Sequence, residues 1–239
     1  MIELRNLTKK FGNFTAVDNL TLKVEQGEFF GFLGPNGAGK TTTIKMMAGL
    51  FTPTSGEIFI NGYNAFTQPI ETKQAFSYVP DQPFLYDKLT GREFLFFVGG
   101  LFSIGKKELT KQIGEVVDHF DIGEWVDKRT EDYSQGMRQR ITIAAAMIHD
   151  PRALIIDEPM VGLDPLSARI VKDTLKEKAR AGVTVFMSTH SLPVAEELCE
   201  RIGIIKNGRL VFVGTRDKLD ALKQQYDGKF ESVFIELTR

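Results

Sequence analysis

Over the first sixty or so residues, apolar positions come in short alternating or clustered runs, which is the spacing of strands rather than helices. The runs are IELRNL (2–7), LTLKV (20–24), EFFGFL (28–33) and EIFI (57–60), the last ending at the turn pair Asn61-Gly62. A helical stretch over about 41–50 interrupts them. From about 83 to 149 the spacing becomes helical, and Thr90-Gly-Arg-Glu93 has the form of a capping box opening a helix that carries FLFFVGGLF (94–102). Short apolar runs return at ALII (153–156) and VTVFM (183–187). Between them lies a helix that Asp164 can cap, Pro165 can open and Gly182 can close. Strand alternating with helix implies a parallel sheet. Residues 202–214 read as a hairpin turning at Asn207-Gly208, and Thr215 is expected to cap a last helix ending near Tyr226. The predicted fold class is α/β: a mainly parallel core (1–82 and 150–239) with an antiparallel β edge and an inserted helical subdomain at about 83–149.

Composition narrows this picture. With 239 residues, 42% hydrophobic and 26% charged, the chain can bury a sizeable core, and it shows no repeat or low-complexity linker that would split it into beads. Thirty Lys and Arg against thirty-one Asp and Glu leave a net charge of −1, so no global field favours nucleic acid, and none is expected as a partner. The single cysteine, Cys199, rules out an internal disulfide and suits a reducing compartment. The opening residues MIELRNLTKKFG lack the pattern of a secretion signal. The longest nearly unbroken apolar run, 94–104, falls well short of the roughly 20 residues a spanning helix needs. A cytosolic chain without a membrane span is the expectation. The aromatic run FLFFVGGLF then serves as the core of the helical insertion, as an exposed docking patch, or as both on different faces.

Candidate chemistry begins at Gly34-Pro35-Asn36-Gly37-Ala38-Gly39-Lys40-Thr41, followed by Thr42, which fits G-x-x-x-x-G-K-[ST] between a strand and a helix. The glycines let backbone N–H groups converge on a polyphosphate at the positive end of a helix. Lys40 supplies a mobile charge for β and γ oxygens, and the Thr41 hydroxyl can ligate Mg²⁺. ATP and Mg²⁺ are therefore the expected substrate and cofactor. The strand ALII ends in Asp157-Glu158, at the end of a parallel strand where ligands sit. Asp157 is suited to hold the cation through water, and Glu158 to polarise the water that attacks the γ-phosphate. His190 ends another apolar run and could sense the same phosphate. Taken alone, a strand ending in Asp-Glu is usually only solvated, and a lone histidine is usually structural; beside the glycine loop the functional reading dominates.

In this order the motifs resemble the ATP-binding subunit of ABC transporters, over nearly the whole chain. The most diagnostic element is Tyr133-Ser134-Gln135-Gly136-Met137, placed where the family carries LSGGQ. The resemblance implies a dimer in which Ser134, Gln135, Gly136 and Met137 of one subunit close over the ATP held by the other, a homodimer being favoured. It further implies an aromatic stack on adenine at Phe11, a dimer-coupling loop at Gly162-Leu163-Asp164, a switch role for His190, and docking of the helical insertion onto membrane-spanning permease subunits. The expected place is the cytoplasmic face of the cell membrane, as a peripheral ATPase powering transport. The style of GPNGAGKTTT and EPMVGLDP looks most like exporters of drugs, polypeptides or lipids. Departures from the pattern are Gln135 and Met137, and a lid loop with Asp81 and then Gln82 after Pro80, which leaves open which of the two approaches the metal. Had position 135 required a left-handed backbone, its Gln would cost on the order of 1 kcal/mol. The alternative is a non-transport relative acting on ribosomes or DNA, but such proteins usually carry paired cassettes or basic surfaces, absent here. A binding module that does not hydrolyse ATP is disfavoured by Glu158.

Overall fold

The computed structural model describes all 239 residues. The chain builds two sheets. Strands β1 (Ile2–Phe11), β2 (Phe14–Val24), β4 (Ser55–Ile60) and β5 (Tyr63–Asn64) form an antiparallel sheet in the order β2-β1-β4-β5. The larger sheet runs β10 (Arg209–Thr215), β9 (Arg201–Lys206), β3 (Phe29–Leu33), β8 (Thr184–Thr189), β7 (Ala153–Asp157), β6 (Phe76–Val79). It is parallel throughout except at the β9–β10 hairpin.

The three central strands, FFGFL, ALIID and TVFMST, are largely apolar and buried at every position, as strands covered on both faces must be. Because side chains alternate along a strand, each run feeds two cores. Phe29, Leu33, Leu154, Ile156, Val185 and Met187 face a core shared with the helices of the insertion, while Phe30, Phe32, Ile155 and Phe186 face a core shared with α1 (Lys40–Met47) and the antiparallel sheet. The sheet is thus fixed from both sides, and its carboxyl-end loops are held as a set.

Between β6 and β7 lie α3 (Gly91–Leu101), α4 (Lys106–His119) and α5 (Gln135–Met147). Thr90 caps α3 in a full capping box with Glu93. The FLFFVGGLF run divides between two faces: Phe94 and Leu95 are buried, whereas Phe97 and Leu101 are exposed. Asp164 caps α6 (Pro165–Arg180) with its side chain, accepting from the Leu166 and Ser167 N–H groups. At the β9–β10 turn Asn207 and Gly208 both have positive φ (49° and 78°), the conformation of a tight hairpin.

The structure corrects the sequence expectations at the ends of several elements. The first helix runs from Lys40 to Met47, not to residue 50, because the chain turns left-handed at Gly49. A short helix, α2 (Pro69–Ala75), and strand β6 directly after it were not expected. After α7 (Leu192–Leu198) and β10, α8 (Arg216–Gln224) starts without any side-chain bond from Thr215. It is not the last helix: past a left-handed Gly228 the chain forms α9 (Phe230–Thr238), which sinks Phe230 and Val233 into the core. No helix is long and apolar enough to cross a membrane.

Candidate active site

The loop 34–42 leaves β3 and turns directly into α1. Its shape depends on missing side chains. A Cβ on Gly34 would lie 2.4 Å from the Ile205 carbonyl oxygen, and one on Gly39, at φ +109°, would lie 2.5 Å from that of Ala16. The β9–β10 turn braces the loop, since Gly208 N–H donates to the Ala38 carbonyl (2.9 Å). Pro35, Asn36 and Gly37 form the exposed rim, whereas Ala38, Gly39 and Lys40 are buried and Thr41 and Thr42 half-buried. The Lys40 ammonium, tucked under the loop, donates to the carbonyls of Gly34 (2.6 Å) and Pro35 (3.2 Å). Burial holds its pKa below the usual lysine value, while the charges of Glu158 and Asp157 pull it back up. Those carboxylates therefore lie within electrostatic reach of the loop.

Asp157 closes β7 and is 1% exposed. Its Oδ1 accepts a hydrogen bond from the Ser188 hydroxyl on the neighbouring strand β8; its Oδ2 is buried with no protein partner. Burial raises the Asp157 carboxyl above its usual range, opposed by the hydroxyls of Ser188 and Thr41 and reinforced by the charges of Asp81 and Glu158. Glu158 follows in a left-handed turn, φ 49°, with its N–H donating to the Ser188 carbonyl (3.2 Å). Such a backbone in a residue other than glycine stores on the order of 1–3 kcal/mol, and strain of this kind gathers at functional sites. Its Oε1 meets His190 Nδ1 at 2.9 Å, with the imidazole otherwise exposed.

An unpartnered buried carboxylate oxygen beside a threonine hydroxyl suits a hard divalent cation. No three His, Cys, Asp or Glu side chains converge to hold an ion unaided. A cation here would complete its shell with substrate phosphates and water, the habit of Mg²⁺. Of the two lid residues, Asp81 is half-buried and its charge acts on Asp157, whereas Gln82 is exposed. Asp81 also adds to the burial that pushes the Tyr78 phenol up to about 12. Strand β6, which leads to Asp81, lies beside β7 with Val79 level with Ile156.

Loop 34–42, Asp157, Glu158 and His190 thus gather at the carboxyl ends of β3, β7 and β8. Ser134 to Met137 lie elsewhere, against the loop 162–164 of the same chain: a Cβ on Gly162, at φ +77°, would strike the Gln135 side chain at 2.4 Å. Ser134 caps α5, its hydroxyl accepting from the Met137 N–H (3.3 Å), so this residue stands at the positive end of a helix of 13 residues. Gln135 is the first helical residue and is not left-handed, so the departure at this position carries no backbone strain. Leu163 is half-buried, and Asp164 is occupied by its cap and by the Ser167 hydroxyl. Phe11 ends β1, 45% exposed, edge-on to Phe51 at 5.6 Å and with the Lys9 ammonium 5.0 Å from its ring centre; it is not a core residue. Ser188 escaped the sequence reading, and only the pairing of β7 with β8 reveals it.

The sequence profile of the family described as ABC transporter matches residues 17–161. The chain is 39% identical over 219 residues to the linearmycin resistance ATP-binding protein LnrL of Bacillus subtilis (strain 168), a match covering 92% of this chain and 70% of that one. Its fold is similar to that of a solved ATP-binding subunit of an ABC transporter, with a TM-score of 0.93 and 31% identity over the whole of both chains. It is also similar to the ATP-binding cassette MJ0796, solved as a dimer in a post-hydrolysis state bound to ADP and Pi (TM-score 0.80, 26% identity, 90% of this chain and 98% of that one).

Proposed function

The chain belongs to the ABC transporter family as an ATP-binding, ATP-hydrolysing subunit, and from this premise we propose how its own residues bind, hydrolyse and transmit. The reading rests above all on one observation: the Lys40 ammonium lies beneath a loop kept open by Gly34 and Gly39, and the same end of the sheet presents Asp157 and Glu158 at the close of β7.

On this reading, the backbone N–H groups of 34–42 cradle the phosphates. Lys40 exchanges the Gly34 and Pro35 carbonyls for β and γ oxygens, a short move because its ammonium already lies under the loop. Phe11 offers its exposed ring to the adenine. Mg²⁺, when bound, would neutralise phosphate charge; the Thr41 hydroxyl and, through water, Asp157 Oδ2 would hold it, with Asp81 rather than Gln82 nearest. Glu158 accepts a proton from the attacking water, and His190, hydrogen-bonded to Glu158, keeps that carboxylate aimed while its free face meets the γ-phosphate.

The helix start at Ser134 has no phosphate-binding partner within its own chain. A second copy completes the site, bringing Ser134, Gln135, Gly136 and Met137 over the γ-phosphate, with Gly162, Leu163 and Asp164 carrying the state of one site to the other through their packing on Gln135 and Gly136. The core comprises 1–82 and 150–239. The helical unit 83–149 docks onto permease subunits at the cytoplasmic membrane face through exposed aromatics: Phe84, Tyr86 and Phe97 stack edge to face at 5.7 and 5.1 Å. Similarity to a resistance protein supports export, with drugs, polypeptides or lipids as cargo classes.

The test is ATPase rate against protein concentration, with Glu158→Gln alongside. Specific activity should rise with concentration, and the variant should lose on the order of 10²–10⁴-fold while accumulating an ATP-bound dimer by size exclusion. Activity independent of concentration, or a variant as active as the parent, would overturn the proposal.

A further inference from the structure

Strands β7 and β8 run parallel with Asp157 level with Ser188. Ser188 is fully buried between Met187 and Thr189, themselves buried, in a stretch where an apolar side chain would be the ordinary choice. A hydroxyl taken out of water there costs stability unless it is bonded, and this one donates to Asp157 Oδ1. Fixing one oxygen of a carboxylate fixes its rotation, and so fixes where the other oxygen points. The other, Oδ2, is the buried atom without a protein partner.

The main chain of the same residue does a second task. Its carbonyl accepts the N–H of Glu158 at 3.2 Å, at the point where the backbone turns left-handed. Consecutive strand residues point to opposite faces, so an extended Glu158 would turn away from the side its neighbours face. The left-handed turn instead delivers it to His190, 2.9 Å from Nδ1.

We infer that Ser188 is the positioning residue for both acids of the site, its hydroxyl aiming Asp157 Oδ2 at the cation and its carbonyl holding the turn that presents Glu158. The first half rests on the reading that Asp157 faces Mg²⁺. Ser188 itself touches neither cation nor nucleotide; it acts through Asp157 and Glu158. Removal of the hydroxyl would leave Oδ1 unsatisfied and the carboxylate free to rotate, loosening the cation and leaving the nucleotide's hold on the loop intact. Partners of metal-binding carboxylates typically govern about 10–100-fold in affinity.

The experiment measures Mn²⁺ binding to the full chain with saturating ADP, by the loss of the free-ion electron paramagnetic resonance signal, and ADP binding separately in EDTA. Ser188→Ala should weaken Mn²⁺ by about tenfold or more, with ADP affinity in EDTA unchanged and the melting temperature lowered by a few degrees, because the buried Oδ1 loses its donor. Ser188→Cys, similar in volume but a weak donor, should behave like Ser188→Ala. The inference is overturned if Ser188→Ala binds Mn²⁺ as the parent does, if Ser188→Cys restores parental binding, which would make packing the cause, or if both ligands weaken together. Asp157→Ala is the reference. If it leaves Mn²⁺ binding unchanged, the assignment of Asp157 to the cation fails and this inference with it; if it weakens binding and Ser188→Ala does not, only this inference fails.

Discussion

A methyl group on Gly39 meets two obstacles that its neighbours meet one at a time. At Gly37 the backbone is left-handed (φ +78°) but the space is open, with nothing within 4 Å of an added Cβ, so Gly37→Ala isolates the conformational cost, roughly 1–2 kcal/mol. At Gly34 there is no left-handed cost, but a Cβ lies 2.4 Å from the Ile205 carbonyl oxygen and 2.9 Å from its Cγ2; forcing atoms into such a contact typically costs about 1–3 kcal/mol. Gly39→Ala carries both, φ +109° and a carbonyl oxygen at 2.5 Å, for roughly 2–5 kcal/mol in all. If the loop stays where it is, this is lost from folding stability, at roughly 2–4 °C in melting temperature per kcal/mol for a chain of this size. If the loop yields, it appears in nucleotide affinity, where about 1.4 kcal/mol is tenfold. Melting curves and titration with a fluorescent ATP analogue together capture the whole loss. The expected order is Gly39→Ala worst, with the two single-obstacle variants milder. Should Gly39→Ala lose no more than Gly37→Ala in the two measurements combined, the steric account of this loop is wrong.

Other outcomes follow from the same geometry. Phe97→Ala, on the exposed face of α3, should lower transport by the assembled complex while ATP hydrolysis by the isolated chain persists; loss of both would mean that the aromatics are core. Asp164→Ala removes the acceptor of two helix-opening N–H groups and should cost about 1 kcal/mol, read as a lower melting temperature, with Asp164→Asn recovering most of it. His149 stacks on Phe102 (3.5 Å between ring centres), and burial lowers its pKa below the usual 6.5, against the pull of the Phe76 backbone and the Asp150 charge. It binds a proton less readily folded than unfolded, so stability is full above about 6.5 and declines as pH falls below it. His149→Gln should flatten that acid limb of melting temperature against pH; an unchanged slope would refute the assignment.

Much of the fold was legible where one local rule decided the outcome. Asn207-Gly208 read as a tight turn, Asp164-Pro165 as the opening of a helix, and the short apolar runs 153–156 and 183–187 as covered strands. The misses are elements too short for periodicity to register, such as α2 and β6, or ones tied down by tertiary contact, such as α9, whose Phe230 and Val233 have meaning only against the core. The site divides in the same way. Loop 34–42 is contiguous, and its residue types announce phosphate chemistry. The approach of Glu158 to His190 and of Asp157 to Ser188 crosses some thirty residues and depends on which strand β7 lies beside. A serine in an apolar strand carries no mark of its own until that neighbour is known.

Several costly groups are gathered at one place, and they share one remedy. Burial pushes Lys40 and Asp157 towards their neutral forms, yet Lys40 donates to carbonyls rather than to Asp157, so neither charge is discharged by the other. Asp157 Oδ2 has no protein partner, and Glu158 is held in a strained turn. A stable core would be built without any of these, since a buried unsatisfied carboxylate oxygen alone costs at least about 1–3 kcal/mol. A polyphosphate with a divalent cation supplies anionic oxygens for the ammonium and positive charge for the carboxylate in a single ligand. Binding energy therefore comes in part from relief of costs already built into the fold, which makes the loop and β7 the natural place for substrate to change the balance between open and closed subunits. Ser134, which caps α5 with its own hydroxyl and is exposed, carries no such cost. On the dimer reading proposed above, it is free to meet a phosphate brought by a second copy.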